Sequence, residues 1–157
     1  VGIRLPEGFI VAIALFLVGT IFLGEMAGFY DRFWWWDMML HGGSAIGLGL
    51  TGVVLMLIFI KGDRLQAVPL IVSLFAFSFA VAVGVIWEIY EFAMDQIFNM
   101  NMQKSGLVDT MWDLIINCLG AIAGAAAGYI HLTRTDAKGL VSLIRDFVRK
   151  NRTLFRD

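Results

Sequence analysis

The chain has 157 residues, 59% of them hydrophobic and 16% charged, with a mean hydropathy of +0.80. Soluble domains are roughly 45 to 50% apolar, so this balance excludes an ordinary water-soluble fold and points to an integral membrane protein. The single Cys118 excludes an internal disulfide, and the formal net charge of −1 hides a strong asymmetry, with basic residues beside the membrane segments as topology requires rather than in a nucleic-acid patch.

Four apolar segments each approach or exceed the ~20 residues that a spanning helix requires. The spacing predicts spans over about 8–30, 37–60, 69–98 and 109–132, so residues 1–134 form one transmembrane domain. The expected fold is an all-α membrane four-helix bundle. The first segment is long, lacks a small-residue cleavage site and is preceded only by Arg4, so no cleavable signal peptide is expected, although the start at Val1 rather than Met leads us to expect a few preceding residues. Pro69 suits the first turn of the third span, where its missing N–H costs nothing.

Beyond the last span, Leu140, Leu143, Ile144, Phe147 and Val148 recur at helical spacing while Arg145, Arg149, Lys150 and Arg152 fall largely elsewhere. Residues 135–157 are therefore expected to form a basic amphipathic helix on the cytoplasmic leaflet, with docking onto another subunit as the alternative.

Orientation follows from the basic residues. Ten of the twelve Lys and Arg, including Arg4, Lys61, Arg64, Arg134 and Lys138, fall at one set of segment ends, with only Arg32 and Lys104 at the other. Basic loops favour the cytoplasm, so both termini are expected there, in the cytoplasmic (inner) membrane of a bacterium. Eight of the thirteen acids, Glu25, Asp31, Asp37, Glu88, Glu91, Asp95, Asp109 and Asp113, lie on the outer side, whereas Glu7, Asp63, Asp136, Asp146 and Asp157 share the inner side. A negative outer face attracts cations.

The third span ends in Trp87-Glu88-Ile89-Tyr90-Glu91, with Asp95 one turn on. At 100° per residue, Glu88, Glu91 and Asp95 lie within about 60° of each other and form one acidic stripe. On the second span Asp37 and His41 are i and i+4, on one face. The fourth span places Asp109, Asp113 and Asn117 on the stripe that continues through Gly120, Gly124 and Gly128, a small-residue face suited to close helix packing. If the helices pack as a bundle, these groups converge near the outer interface.

A carboxylate beside hydrocarbon costs about 2.5 to 3.5 kcal/mol on insertion scales, so such groups face a bundle interior, a partner or a watery cavity. Oxygen ligands with one imidazole suit Mg, Mn, Ca, Zn or Fe. The candidate metal ligands are Asp37, His41, Glu88, Glu91 and Asp113, with Asp95, Asp109 and Asn117 secondary, and the candidate catalytic groups are His41, Glu88 and Glu91. The Glu-x-x-His pairs of ferritin-like di-iron proteins are absent from the sequence. The competing readings are structural. Asp109 is expected to be the N-cap of the fourth span, Asp95 a solvated helix-end group, and Tyr30, Phe33, Trp34, Trp35 and Trp36 an interfacial aromatic belt. Trp87 and Trp112 are expected to serve as packing or belt residues, with a substrate slot as the sharper role; His131 is expected at the inner interface.

The stretch Trp35-Trp36-Asp37-Met38-Met39-Leu40-His41, then Trp87-Glu88-Ile89-Tyr90-Glu91, then Asp109-Thr110-x2-Asp113 and Asp113-x3-Asn117-x2-Gly120-x3-Gly124 resembles the VanZ-like superfamily, most closely its YjdF-like branch. The resemblance covers Phe33 to Tyr129 and implies the topology and the acidic site, without a reaction. VanZ proper is associated with teicoplanin resistance, but the Trp-Glu-x-x-Glu patch belongs to the YjdF-like branch, so that role is not carried over. Two functions remain open on the sequence. One is an accessory subunit of a larger membrane complex, or a homo-oligomer, without catalysis of its own. The other is a divalent-metal-dependent membrane enzyme acting on a lipid-linked or amphiphilic substrate at the outer leaflet. Cation transport fits less well, because no acid lies deep in the inner half. The lipid bilayer is a partner on either reading, and nucleic acid is not.

Overall fold

The computed structural model describes residues 2–60, 68–134 and 138–155. The charges Lys61, Asp63, Arg64, Asp136, Arg156 and Asp157, used above for orientation, lie outside the described residues. Among the described residues four helices are long and apolar enough to cross a membrane: Glu7–Met26, Trp36–Phe59, Pro69–Phe98 and Leu107–Thr133. The fold is an all-α membrane helical bundle.

The first span is two-part. An α-helix, α1 (Glu7–Leu17), runs directly into a nine-residue π-helix, Val18–Met26. A short α2 (Phe29–Arg32) follows, and Gly28 between them takes φ +70°, a left-handed turn that glycine makes without steric cost. The remaining spans are α3 (Trp36–Phe59), α4 (Pro69–Phe98) and α5 (Leu107–Thr133), and α6 (Leu140–Lys150) closes the order with a 3₁₀ turn at Arg152–Leu154.

Helices α3, α4 and α5 form a tight three-helix core, and the first span lies outside it, packed chiefly on α3. Small residues set the approach of the core helices. A Cβ added at Gly120 would lie 2.4 Å from the Gly42 carbonyl oxygen, and the Gly49 and Gly124 backbones meet one helical turn further along. No larger side chain fits between α3 and α5 at these levels.

The basic end is closed by α6. Its apolar face is not laid on lipid: Val141, Ile144 and Phe147 are buried against Leu50, Val53, Leu57, Val72 and Ala125 of the core helices. Leu140, expected on that face, is exposed. The sequence periodicity located the helix but could not say what covers its apolar side. Phe9 packs edge-on against Phe147, so the first span is pinned to α6 as well. Buried Asn151 fixes the N-terminal strand of chain: its side chain accepts from the Arg4 N–H at 2.7 Å and donates to the Arg4 and Phe147 carbonyls at 2.7 and 2.9 Å.

At the acidic end the aromatic run divides. Trp34 is 81% exposed, as a belt residue would be, whereas Trp36 is buried and donates its Nε1–H to the Gly19 carbonyl at 3.2 Å. The bond ties the π-helical half of the first span to α3. Trp36 is thus a packing residue rather than part of a belt.

Candidate functional site

Three helices bring polar groups to one depth. Asp37 and His41 come from the first two turns of α3, Glu88 and Glu91 from the outer part of α4, and Asp113 from the second turn of α5. All five expected metal ligands converge. Two sets, Asp37 with His41 and Asp113, and His41 with Glu88 and Glu91, each have donor atoms within 4.8 Å of one another.

His41 is the hinge of the arrangement. Its Nε2 lies 3.7 Å from Asp37 Oδ1 and its Nδ1 lies 3.7 Å from Glu88 Oε1, so the two ring nitrogens face different carboxylates. Helical periodicity explains the first contact, since Asp37 is one turn away on the same helix. The second depends on the packing of α3 against α4.

Glu88 and Asp113 are 4% and 2% exposed, yet Glu88 Oε1 and Asp113 Oδ2 have no hydrogen-bond partner. Buried charged oxygens in native proteins are ordinarily paired or coordinated. The other side of Glu88 is tethered by a hydrogen bond from Thr110, whose hydroxyl in turn accepts from Gln103 Nε2 at 2.6 Å. Glu91 is held by the Trp87 indole, which donates to its Oε1 at 3.0 Å. Trp87 therefore orients an acid as well as lining the site.

The three secondary candidates take other roles. Asp95 accepts the Met102 and Gln103 N–H groups at 2.5 and 2.8 Å and so shapes the α4–α5 connection. That connection turns through Asn99 and Asn101, both at positive φ. Asp109 is not the N-cap: α5 starts at Leu107 with Gly106 before it, and Asp109 sits in the first turn, where it accepts the Lys104 N–H at 3.2 Å. Asn117 lies one turn below Asp113, flat against Gly84; a Cβ at Gly84 would come 2.1 Å from Asn117 Nδ2, which is itself buried without a partner.

A cavity of about 930 Å³ opens from this cluster toward the first span. Asp37, His41, Glu91 and Asn117 line its inner wall, and Glu25, Tyr30, Asp31 and Lys104 its mouth. The rest of its wall is mostly apolar, from Phe16, Leu17 and Ile21 on one side to Leu48, Val83 and Trp87 on the other, with Thr20, Ser44 and Asn101 as polar breaks. Lys104 reaches across the mouth: its ammonium pairs with Asp31 and lies 5.6 Å from the centre of the Tyr30 ring. Burial, followed by the charges of Asp37, Glu25 and Glu91, pushes the Tyr30 phenol up to about 12. Tyr30 therefore stays a neutral hydrogen-bond donor beside the acids.

Sequence reasoning allowed Tyr30 a substrate-stacking role and Glu25 a site role only as second readings and named Lys104 merely as a nearby cation, and it missed Thr110 and the remaining π-helical residues as parts of the site. Tyr30 was hidden in an aromatic run that reads as a belt, and Lys104 in a polar connection. Trp112, by contrast, is half-exposed and lies outside the cavity wall.

Comparison with known proteins gives the family. Residues 1–134 match the family described as "Predicted membrane protein (DUF2238)". An uncharacterised protein of Thermotoga maritima is 38% identical over 121 residues, covering 73% of this chain, and the match spans 60% of the length of that relative. No solved structure matches. Carrying four helices able to span a membrane over the matched region, the chain belongs to the DUF2238 family of membrane proteins.

Proposed function

We propose that this protein is a divalent-metal-dependent membrane enzyme that acts on the polar end of an amphiphile at the outer leaflet. The observation that carries the reading is the buried acid pair beside His41 at the foot of a cavity: Asp113 Oδ2 has no hydrogen-bond partner, and Glu88 Oε1 has only the His41 ring nitrogen at 3.7 Å. A cation is the economical way to compensate several buried carboxylates in one small volume.

The geometry favours Asp37, His41 through Nε2, and Asp113 as ligands, a set that suits Mg, Mn or Zn. Glu88 then stands 3.7 Å from the other ring nitrogen of His41, a carboxylate that would fix the tautomer and orientation of the ring. Glu91, held by Trp87 and facing the cavity, is the proton acceptor. A bound divalent ion would supply Lewis acidity toward a ligand oxygen and favour ionisation of water. The chain's own groups would orient the ligand and take the proton.

The excess of basic residues at the other end supports an acidic end that faces outward, in an inner-membrane protein with cytoplasmic termini. The resemblance to the YjdF-like branch supports the same site. The packing of the apolar face of α6 onto its own bundle leaves that face unavailable to another subunit, which favours the enzyme over the accessory subunit.

Metal analysis of purified full-length protein tests the proposal. One divalent ion per chain is expected, lost in Asp113→Asn and in His41→Ala, whereas Glu91→Gln retains the metal and loses turnover. Wild-type protein without metal after purification in metal-supplemented buffer would refute it.

A further inference from the structure

The cavity has a polarity gradient along the membrane normal. Its apolar walls, Phe16, Leu17 and Ile21 of the first span opposite Val83 and Trp87 of α4, belong to segments that cross the bilayer, and Leu17, Ile21 and Trp87 are half-exposed at its rim. The first span is held to the rest of the molecule through Phe9 on Phe147 and, near its middle, through the Gly19 carbonyl on Trp36. Its Phe16, Leu17 and Ile21 face α4 across the cavity, so a hydrocarbon chain has a path in from the lipid. A volume of about 930 Å³ lies at the upper end of small-molecule pockets.

The head-group end selects by charge. Glu25, Asp31, Asp37 and Glu91 line it against a single cation, Lys104, with Glu88 and Asp113 close behind. With a divalent ion held by Asp37 and Asp113 and with Lys104 paired to Asp31, Glu25 is left at the mouth without a counter-charge, so the field there stays negative. An anionic head would be repelled there, and a cationic one drawn in. The chain's own ammonium already shows the mode of recognition: Lys104 Nζ is paired with Asp31 and stands 5.6 Å over the Tyr30 ring, within cation–π reach. The neutral Tyr30 phenol lies in the field of Asp37, Glu25 and Glu91.

We infer that the cavity takes an amphiphile with an ammonium head, its chain passing sideways between the first span and α4 and its head seated among Glu25, Tyr30, Asp31 and Glu91. The inference deepens the proposed function by naming the ligand class, and it rests on that reading only in taking the cavity as the ligand site.

The test uses full-length protein in nanodiscs of zwitterionic lipid. A dodecylamine with a diazirine on its chain is photocrosslinked, and adducts are mapped by peptide mass spectrometry against three competitors that share one chain: dodecylammonium, dodecyl phosphate and dodecanol. Adducts are expected on Leu17, Ile21 and Val83, displaced by dodecylammonium at concentrations at least about tenfold below the other two. Val83→Trp, which fills the slot, should remove them. Lys104→Met should strengthen the ammonium competition severalfold, because the internal ammonium no longer competes, a gain that a misfolded protein cannot produce. Equal or better competition by dodecyl phosphate, adducts spread evenly over all lipid-facing helices, or an unchanged Lys104→Met would each overturn the inference. Metal content measured on the same sample separates the two proposals. Stoichiometric metal without head-group preference overturns the ligand class alone, and ammonium preference without metal overturns the metal assignment alone.

Discussion

Gly120→Ala tests whether the α3–α5 approach sets the site. A Cβ at Gly120 would stand 2.4 Å from the Gly42 carbonyl oxygen and 2.9 Å from Ala45 Cβ, where ordinary contact begins near 3.4 Å. The obstruction is backbone, which cannot rotate aside, so α5 must move off α3 by about 1 Å; overpacking of this kind costs about 1–3 kcal/mol. Gly120 is seven residues, or about 10 Å, along α5 from Asp113, so the displacement carries to the ligand end of the helix. Metal ligands tolerate about 0.2 Å, so Asp113 would leave the set it forms with Asp37 and His41. We expect metal affinity at least about tenfold weaker, the scale of loss seen when a site's supporting groups are disturbed, and a lower melting temperature in detergent. Gly43→Ala on α3 is the control. A Cβ there meets nothing within 4 Å, and Gly to Ala in a helix gains about 0.4–1 kcal/mol. Calorimetric metal titration of both variants decides the matter. If Gly120→Ala bound metal as tightly as Gly43→Ala, the close packing of α3 on α5 would not be what assembles the cluster.

Asn151→Ala removes both bonds to the Arg4 backbone, while the Phe147 carbonyl keeps the Asn151 N–H at 3.1 Å, so the change should cost about 0.5–1.5 kcal/mol per lost bond and speed hydrogen exchange at the Arg4 amide; an unchanged exchange rate would show that the clamp is immaterial. Tyr30 should ionise near pH 12 rather than 10, visible as the late ultraviolet titration step missing from Tyr30→Phe. Because the folded-state value is raised, the unfolded chain releases this proton first as pH climbs through 10, and stability falls between pH 10 and about 12; that slope should flatten in Tyr30→Phe. Ser105→Cys, on the exposed α4–α5 connection, should react with a membrane-impermeant maleimide added to intact cells, whereas Lys138→Cys should react only after lysis. The reverse pattern would invert the orientation.

The spans and the acidic cluster were legible because both follow from local rules. Hydropathy over twenty residues marks a span, and periodicities of 3 and 4 place Asp37 with His41, and Glu88 with Glu91, each on one face. Even the burial of Asp113 and Asn117 could be read, from the glycines that continue their stripe. What could not be read depends on how the helices turn relative to each other. The π-helical stretch Val18–Met26 has no sequence signature, yet it brings Thr20, Gly24 and Glu25 to the cavity. Trp34, Trp35 and Trp36 are chemically identical on the page, and only the Gly19 carbonyl distinguishes the third.

The same distinction explains why the sequence left the function divided. A set of carboxylates at one depth suits a polar lock inside a bundle as well as it suits a metal centre, and the two differ in whether the oxygens find protein donors. In the described residues they divide. Asp95 and Asp109 take backbone N–H groups and behave as structural acids, Glu91 takes the Trp87 indole, and Glu88 and Asp113 each keep an oxygen without a hydrogen bond, that of Glu88 facing the His41 ring at 3.7 Å. A lock that evolved only to hold helices together would have paired those two, since a buried unpaired acceptor costs about 1–3 kcal/mol and more when charged. Asp113 Oδ2 is therefore the atom at which the proposed metal centre and a polar lock make different predictions.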